Sequence, residues 1–173
     1  MREIDSALVN MRDALRTHLN GRIAVYEADS GVSLPRFESR HILIGTTALA
    51  GPPVNPLTIW CRVDEVRYND DIVMPAPKGA YQDVEVNMAA RVFMPQHGGG
   101  PEITERAAAM ISEAIRRVLE KRLTGSGKLW SLHFDYYQPQ PDPISDNAAR
   151  GITREFEIGF MARVRQQSYY LTE

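Results

Sequence analysis

The stretch "MPQHGGGPEITERAAAM", residues 94 to 110, sets His97 and three consecutive glycines directly before an apolar periodicity that reads as a helix. A histidine beside glycines suits the oxyanion loop of an esterase, where backbone N–H groups must approach a developing negative charge. That chemistry also needs a serine on a sharp strand-to-helix turn of Gly-x-Ser-x-Gly type. No serine here has that setting: Ser126 in "TGSGKL" stands between two glycines, but it follows a helical pattern and lacks the outer spacing. A phosphate cradle fails at Pro101, which removes one of the N–H donors that a helix start offers an anion. Proline at the first helical position is what helix geometry favours. The glycines are therefore expected to form a flexible strand-to-helix joint, with Pro101 opening the helix. Replacing His97 or Ser126 by alanine is expected to leave function intact.

Other groups capable of chemistry fare no better. The run "GSGKL" has Arg122 where a Walker A loop needs its first glycine and Leu129 where it needs a magnesium-binding hydroxyl, so it reads as a helix stop with Gly125 near the cap. His18, His41, His97, His133 and Cys61 are dispersed without metal-ligand spacing. Cys61, beside Trp60 in a strand, reads as a small packing residue. The acids Asp64, Glu65, Asp70 and Asp71 could supply paired carboxylates, but nothing apolar nearby in sequence would raise a carboxylate pKa, and a solvated loop mouth is the simpler reading. Tyr136 and Tyr137 lack the basic groove that a stacking platform for single strands requires. No catalytic residue, cofactor-binding residue or metal ligand is assigned, and the expectation is that the chain is not an enzyme.

The elements that would carry these residues follow from periodicity. Ile4, Leu8, Met11, Leu15 and Leu19 recur at helical spacing, and Asn20-Gly21 supplies a stop. "RIAVY" (22–26) and "HILIG" (41–45) read as short strands. Residues 57–68 alternate Leu57, Ile59, Cys61 and Val63 against polar neighbours, and residues 81–94 place Val84, Val86, Met88, Ala90, Val92 and Met94 on one face. A second helix carries Ile103, Ala107, Met110, Ala114 and Val118 and ends near Gly125. Residues 129–137 and 152–164 give two more strands, the latter with Phe156, Ile158, Phe160 and Ala162 on one side. This order predicts an α+β domain, a mainly antiparallel sheet packing its apolar face against two helices, with long loops.

Composition bounds the remaining possibilities. The 173 residues suit one domain, with residues 166–173 expected to be a flexible or docked tail. A formal net charge of −2 argues against dominant attraction to nucleic acid, a lone cysteine makes no internal disulfide, and no apolar run of about 20 residues could span a membrane. The start, "MREIDSALVNMRDAL", resembles neither a secretory signal nor a transit peptide, so folding in a reducing cytoplasm is expected.

The loops 27–40, 45–56 and 138–151 are long for a domain of this size, and such loops usually serve function. Several of their residues are apolar, and ordering them against a partner would repay the entropy they lose. Val32, Leu34, Phe37, Leu49 and Val54 are accordingly candidate subunit contacts, with residues 28–56 and 69–80 expected among the contacts to neighbouring subunits or to another partner protein.

The helix "IDSALVNMRDAL", the strand "DVEVNMAARVFMP" leading into the helix "ITERAAAMISEAIRRVLEKRL", and the closing strand "ITREFEIGFMARVR" give an order of elements similar to the tail terminator, or tail-completion, proteins of tailed bacteriophages. The resemblance implies a structural virion protein assembled in the host cytoplasm. It would form a cyclic homo-oligomer, usually a hexamer, that terminates the tail tube and joins it to the head connector. The implied partners are the chain itself, the tail tube protein and the connector protein, with no cofactor and no membrane. DNA would only pass through, without sequence-specific binding, and Asp64, Glu65, Asp70 and Asp71 are candidates to face such a lumen. The alternative reading is a cytoplasmic small-molecule-binding domain or hydrolase whose site is assembled from the loops.

Overall fold

In the computed structural model, residues 2–45, 53–68, 80–124, 131–139 and 149–168 are described. The elements are α1 (Arg2–Ser30), a 3-10 turn (Ser39–His41), β1 (Ile42–Ile44), β2 (Thr58–Tyr68), β3 (Ala80–Met94), α2 (Pro101–Leu119) continued by a π-helical turn (Glu120–Thr124), β4 (Ser131–Pro139) and β5 (Arg154–Ser168). Among the described residues the strands form one five-stranded sheet in the order β1-β2-β3-β5-β4. β1 runs parallel to β2, and the other pairings are antiparallel. The architecture is the expected α+β one, with both helices on one face of the sheet.

That face is the core. Val84, Val86, Met88, Ala90 and Val92 of β3 and Phe156, Ile158, Phe160 and Ala162 of β5 are buried in one cluster with Met11, Leu15 and Leu19 of α1 and Ala107, Ile111, Ala114 and Ile115 of α2. The two long strands pair residue for residue from Ala80 with Ser168 to Met94 with Arg154, so both alternations point the same way. Burying a Phe, Ile or Met side chain from water stabilises by about 1.5–3 kcal/mol, which makes this cluster the dominant favourable contribution. β5 continues to Ser168, so residues 166–168 are strand rather than tail.

The first helix differs from its expectation. It does not stop at Asn20-Gly21, and "RIAVY" is helix, not strand. The apolar stripe continues through Leu19 to Ile23, both fully buried, and this packing outweighs the modest cost of a glycine inside a helix. Asn20 has a different role: its Nδ2 donates to the Phe37 carbonyl at 2.7 Å, and the Phe37 N–H donates to its Oδ1 at 2.9 Å. The helix ends at Gly31, where φ is +69° and the N–H bonds the Glu27 carbonyl at 2.9 Å, a left-handed termination that glycine adopts without strain. The returning segment is then tied back by the Glu27 carboxylate, which accepts from the Leu34 N–H at 3.0 Å and from Arg36.

Candidate functional site

The face of the sheet opposite the helices carries the densest polar arrangement among the described residues, and two β-bulges build it. β2 slips by one residue between Val63 and Glu65, so Asp64 is extra and Val66 rejoins the core face while Glu65 turns outward. β4 slips likewise between Phe134 and Tyr136. Without that slip Tyr136 would follow Leu132 and Phe134 into the core. With it, Tyr137 packs there, its ring 5.5 Å from that of Phe156, and Tyr136 turns to the outer face opposite Gly159.

On that face Arg62 donates to Glu157 Oε2 at 2.7 Å and to Asp64 Oδ1 at 2.5 Å. The Tyr136 hydroxyl donates to the other oxygen of Glu157 at 2.6 Å. Arg91 pairs with Glu155, the second buried carboxylate, and lies over the Phe93 ring at 5.6 Å. Both glutamates are 6% exposed, so each needs the partner it has. The Trp60 indole N–H is buried with no hydrogen-bond partner among the described residues.

The electrostatics fix what these groups can do. Burial pushes Glu157 up, but the hydrogen bonds from Arg62 and Tyr136 and the charges of Arg62 and Arg91 outweigh it and hold the carboxyl below its ordinary value. Burial, together with the bond to Glu157, pushes the Tyr136 phenol well above its usual range. Near neutral pH Glu157 is thus an ionised acceptor and Tyr136 a neutral donor, an arrangement that fixes strand neighbours rather than one poised to exchange protons. Cys61 lies on the opposite, core-facing side, where burial pushes its thiol up to about 12. It is a packing residue, as its place in the strand suggested.

The residues singled out from sequence are scattered. Asp64 is bound to Arg62, and Glu65 is bridged to Arg67 at 2.9 Å and accepts from Asn87 at 3.2 Å. Both are exposed near the far end of β2, while Asp70 and Asp71 lie outside the described residues. Leu34 and Phe37 are 5% and 1% exposed in the chain's own core, which corrects their assignment as subunit contacts: the protomer already covers them. Val32 packs partly against the same core. Val54 is 89% exposed and remains available to a neighbour; Leu49 lies outside the described residues, as do Ser126, Gly125, Lys128 and Leu129.

The glycine joint is tied down rather than flexible. Pro101 opens α2 as expected, but His97 Nδ1 accepts from the Gly99 N–H at 2.9 Å while its Nε2 meets the Ser33 carbonyl at 2.8 Å. The Thr104 hydroxyl accepts from the His97 N–H at 2.9 Å. This requires the Nε2–H tautomer and links the joint to the segment after α1. Among the described residues no group of three His, Cys, Asp or Glu side chains is placed to hold a metal ion, and no helix is long and apolar enough to cross a membrane.

Arg62, Arg91, Tyr136, Glu155 and Glu157 were not singled out as a site from sequence, because their partners lie far apart: Arg62 and Glu157 are 95 residues distant along the chain. The available signal was two glutamates at the polar positions of a strand otherwise apolar, "EFEIGF", which need cations on the neighbouring strands. Neither protein-family models nor curated proteins gave a match to this chain.

Proposed function

We propose that the chain is a structural virion protein forming a ring at the head-proximal end of a phage tail, where it terminates the tail tube and joins it to the head connector. The observation that supports this most is the state of the sheet's borders. β1 pairs only with Ile59, Trp60 and Cys61, so among the described residues the stretch of β2 from Arg62 to Tyr68 has no strand on that side. β4 borders the sheet at its other side. Beyond β2 and β4, the pairs from Ala80 with Ser168 to Asp83 with Arg165 continue as a two-stranded ribbon without a third strand among the described residues.

Unpaired strand edges invite another chain, and an isolated two-stranded ribbon is marginal in water, so both features favour a neighbour that covers them. A closed ring supplies that neighbour without leaving a free end for fibre growth. The resemblance in element order implies six subunits. The position at the tail, the connector partner and the passage of DNA rest on that resemblance alone, and residues 28–56 and 69–80 remain the proposed contact segments, less the buried Leu34 and Phe37.

Electron microscopy of the purified chain, alone and recovered from assembled particles, tests the proposal. Rings with a central hole, of mass near six times the 19.5 kDa chain, are the expected result. A chain that is an isolated monomer in both preparations would overturn it.

A further inference from the structure

A groove of about 610 Å³ opens between α1 and the C-terminal end of α2, on the side of the helices away from the ion pairs of the sheet. His18 and Arg22, one turn apart on α1, form one wall; Arg117, Lys121 and Arg122 form the other. The π-helical turn contributes directly, because its wider coil lets the residues four and five places after Arg117 both lie over the same groove. Of the four arginine and lysine cations here, Arg117 is bridged to Glu113 at 2.9 Å, and the groove's one carboxylate, Glu120, is bound to Arg116 at 2.5 Å. Among the described residues Lys121 and Arg122 have no carboxylate partner, and Arg22, whose guanidinium lies over the Tyr26 ring at 5.2 Å, has its Nε buried without a hydrogen-bond acceptor. With His18 neutral the lining carries four positive charges against one negative, a net of +3 in a chain whose formal net charge is −2.

The groove is also kept open. Nothing lies within 4 Å of where a Cβ on Gly21 would stand, and this glycine sits inside a helix, where alanine would hold the coil better. His18 feels the surrounding charge: burial first, then Arg122 and Lys121, lower its pKa.

From this geometry we propose that the groove binds a phosphorylated small molecule through its phosphate group. Guanidinium forks and an ammonium converging from two walls match the several oxygens of a phosphate monoester. The volume lies within the roughly 300–1,000 Å³ of small-ligand sites, and the exposed Val25 offers apolar surface for the rest of the ligand. The cations are gathered in a concavity, whereas a nucleic-acid backbone would need them extended along a stripe. The inference is independent of the ring proposal.

Calorimetric titration of the full chain at about 50 mM salt with phenyl phosphate and with inorganic phosphate tests it, the low salt preserving surface electrostatics. Saturable one-to-one binding is expected, with phenyl phosphate the tighter; equal affinities would keep the phosphate site and assign it to the free ion. Arg22→Gln and Lys121→Gln should each weaken binding about tenfold, the effect of losing one charge-assisted hydrogen bond. Arg40→Gln, at an exposed guanidinium on the 3-10 turn, should not. Because Lys121 is exposed, its variant reports binding without a folding defect. Absence of saturable binding, an equal loss in Arg40→Gln, or preferential binding of a glutamate-rich peptide would overturn the proposal.

Discussion

The ring of Tyr136 lies against the backbone of Gly159 on the adjoining strand: a Cβ added to Gly159 would come within 2.1 Å of it. This contact lets the tyrosine reach along β5 to Glu157, its ring filling the gap that Gly159 leaves among the side chains of the outer face. Gly159→Ala must displace the ring and break its hydrogen bond to a charged acceptor, so a loss of about 2 kcal/mol or more is expected in chemical denaturation. In a Tyr136→Ser background the same alanine should cost less than about 1 kcal/mol, because the two sites act through one contact. Additive losses would show that the ring does not occupy that place.

Asn20 and Gly21 give a paired prediction with opposite signs. Asn20→Ala removes both hydrogen bonds to Phe37 and leaves its backbone groups unsatisfied, which should cost about 1–3 kcal/mol. Gly21 has no positive φ and open space around it, so Gly21→Ala should raise stability by about 0.5–1 kcal/mol. Thermal unfolding of the two variants checks this; destabilisation by Gly21→Ala would mean that the helix ends there after all.

That pair also shows where sequence was informative. The long strands were legible because a period of two sustained from Val84 to Met94 has no helical counterpart, and each apolar face then had to meet the helices. Asn20-Gly21 misled because the dipeptide marks a stop only when nothing beyond it packs, and the burial of Ile23 lies outside any local signal. The bulges at Asp64 and Asp135 carried no marker either, since any residue can be the extra one, yet they decide which side Glu65 and Tyr136 take. The ion pairs on the outer face depend on register between strands distant in the chain, and the groove depends on helix packing and on a π turn. Neither could be read from spacing.

Acid should expose the outer-face network. Glu157 has its folded pKa lowered from 4.5, so the native state binds fewer protons than the unfolded chain as that range is approached. Its contribution is therefore fully present above about pH 4.5 and is lost as pH falls through the folded value. Glu113, lowered mainly by its hydrogen bond from Arg116, acts in the same direction. Glu157→Gln should be less stable than the parent at pH 7, and the gap should narrow below pH 4.5, measured by urea unfolding at a series of pH values. A gap that widens with acid would invert the assignment.

Phe156 is fully buried at the contact between β5 and the helices, and its ring meets Tyr137. Phe156→Asp would leave a cavity and an unpaired buried charge together, each a several-kcal/mol penalty, against a total stability of about 5–15 kcal/mol for a domain. Loss of the cooperative thermal transition is expected. A soluble variant with the parent's melting temperature would mean that the faces of β5 are reversed.

Val54 separates folding from assembly, because at 89% exposure it contributes little to the protomer yet stands where a neighbour would cover it in the proposed ring. It precedes β2, and Ile59–Cys61 of that strand pair with the short β1 at the sheet border, so a subunit seated against this edge would meet it. Val54→Asp should leave the melting temperature of the isolated chain within about 1 °C, since surface substitutions usually change stability by less than ~0.5 kcal/mol. Buried against a second subunit the same carboxylate would be desolvated without a partner, so the fraction of chain recovered in rings, counted by mass photometry, should fall at least tenfold. Unchanged ring formation would remove Val54 from the interface and leave the border of the sheet to be covered by another segment.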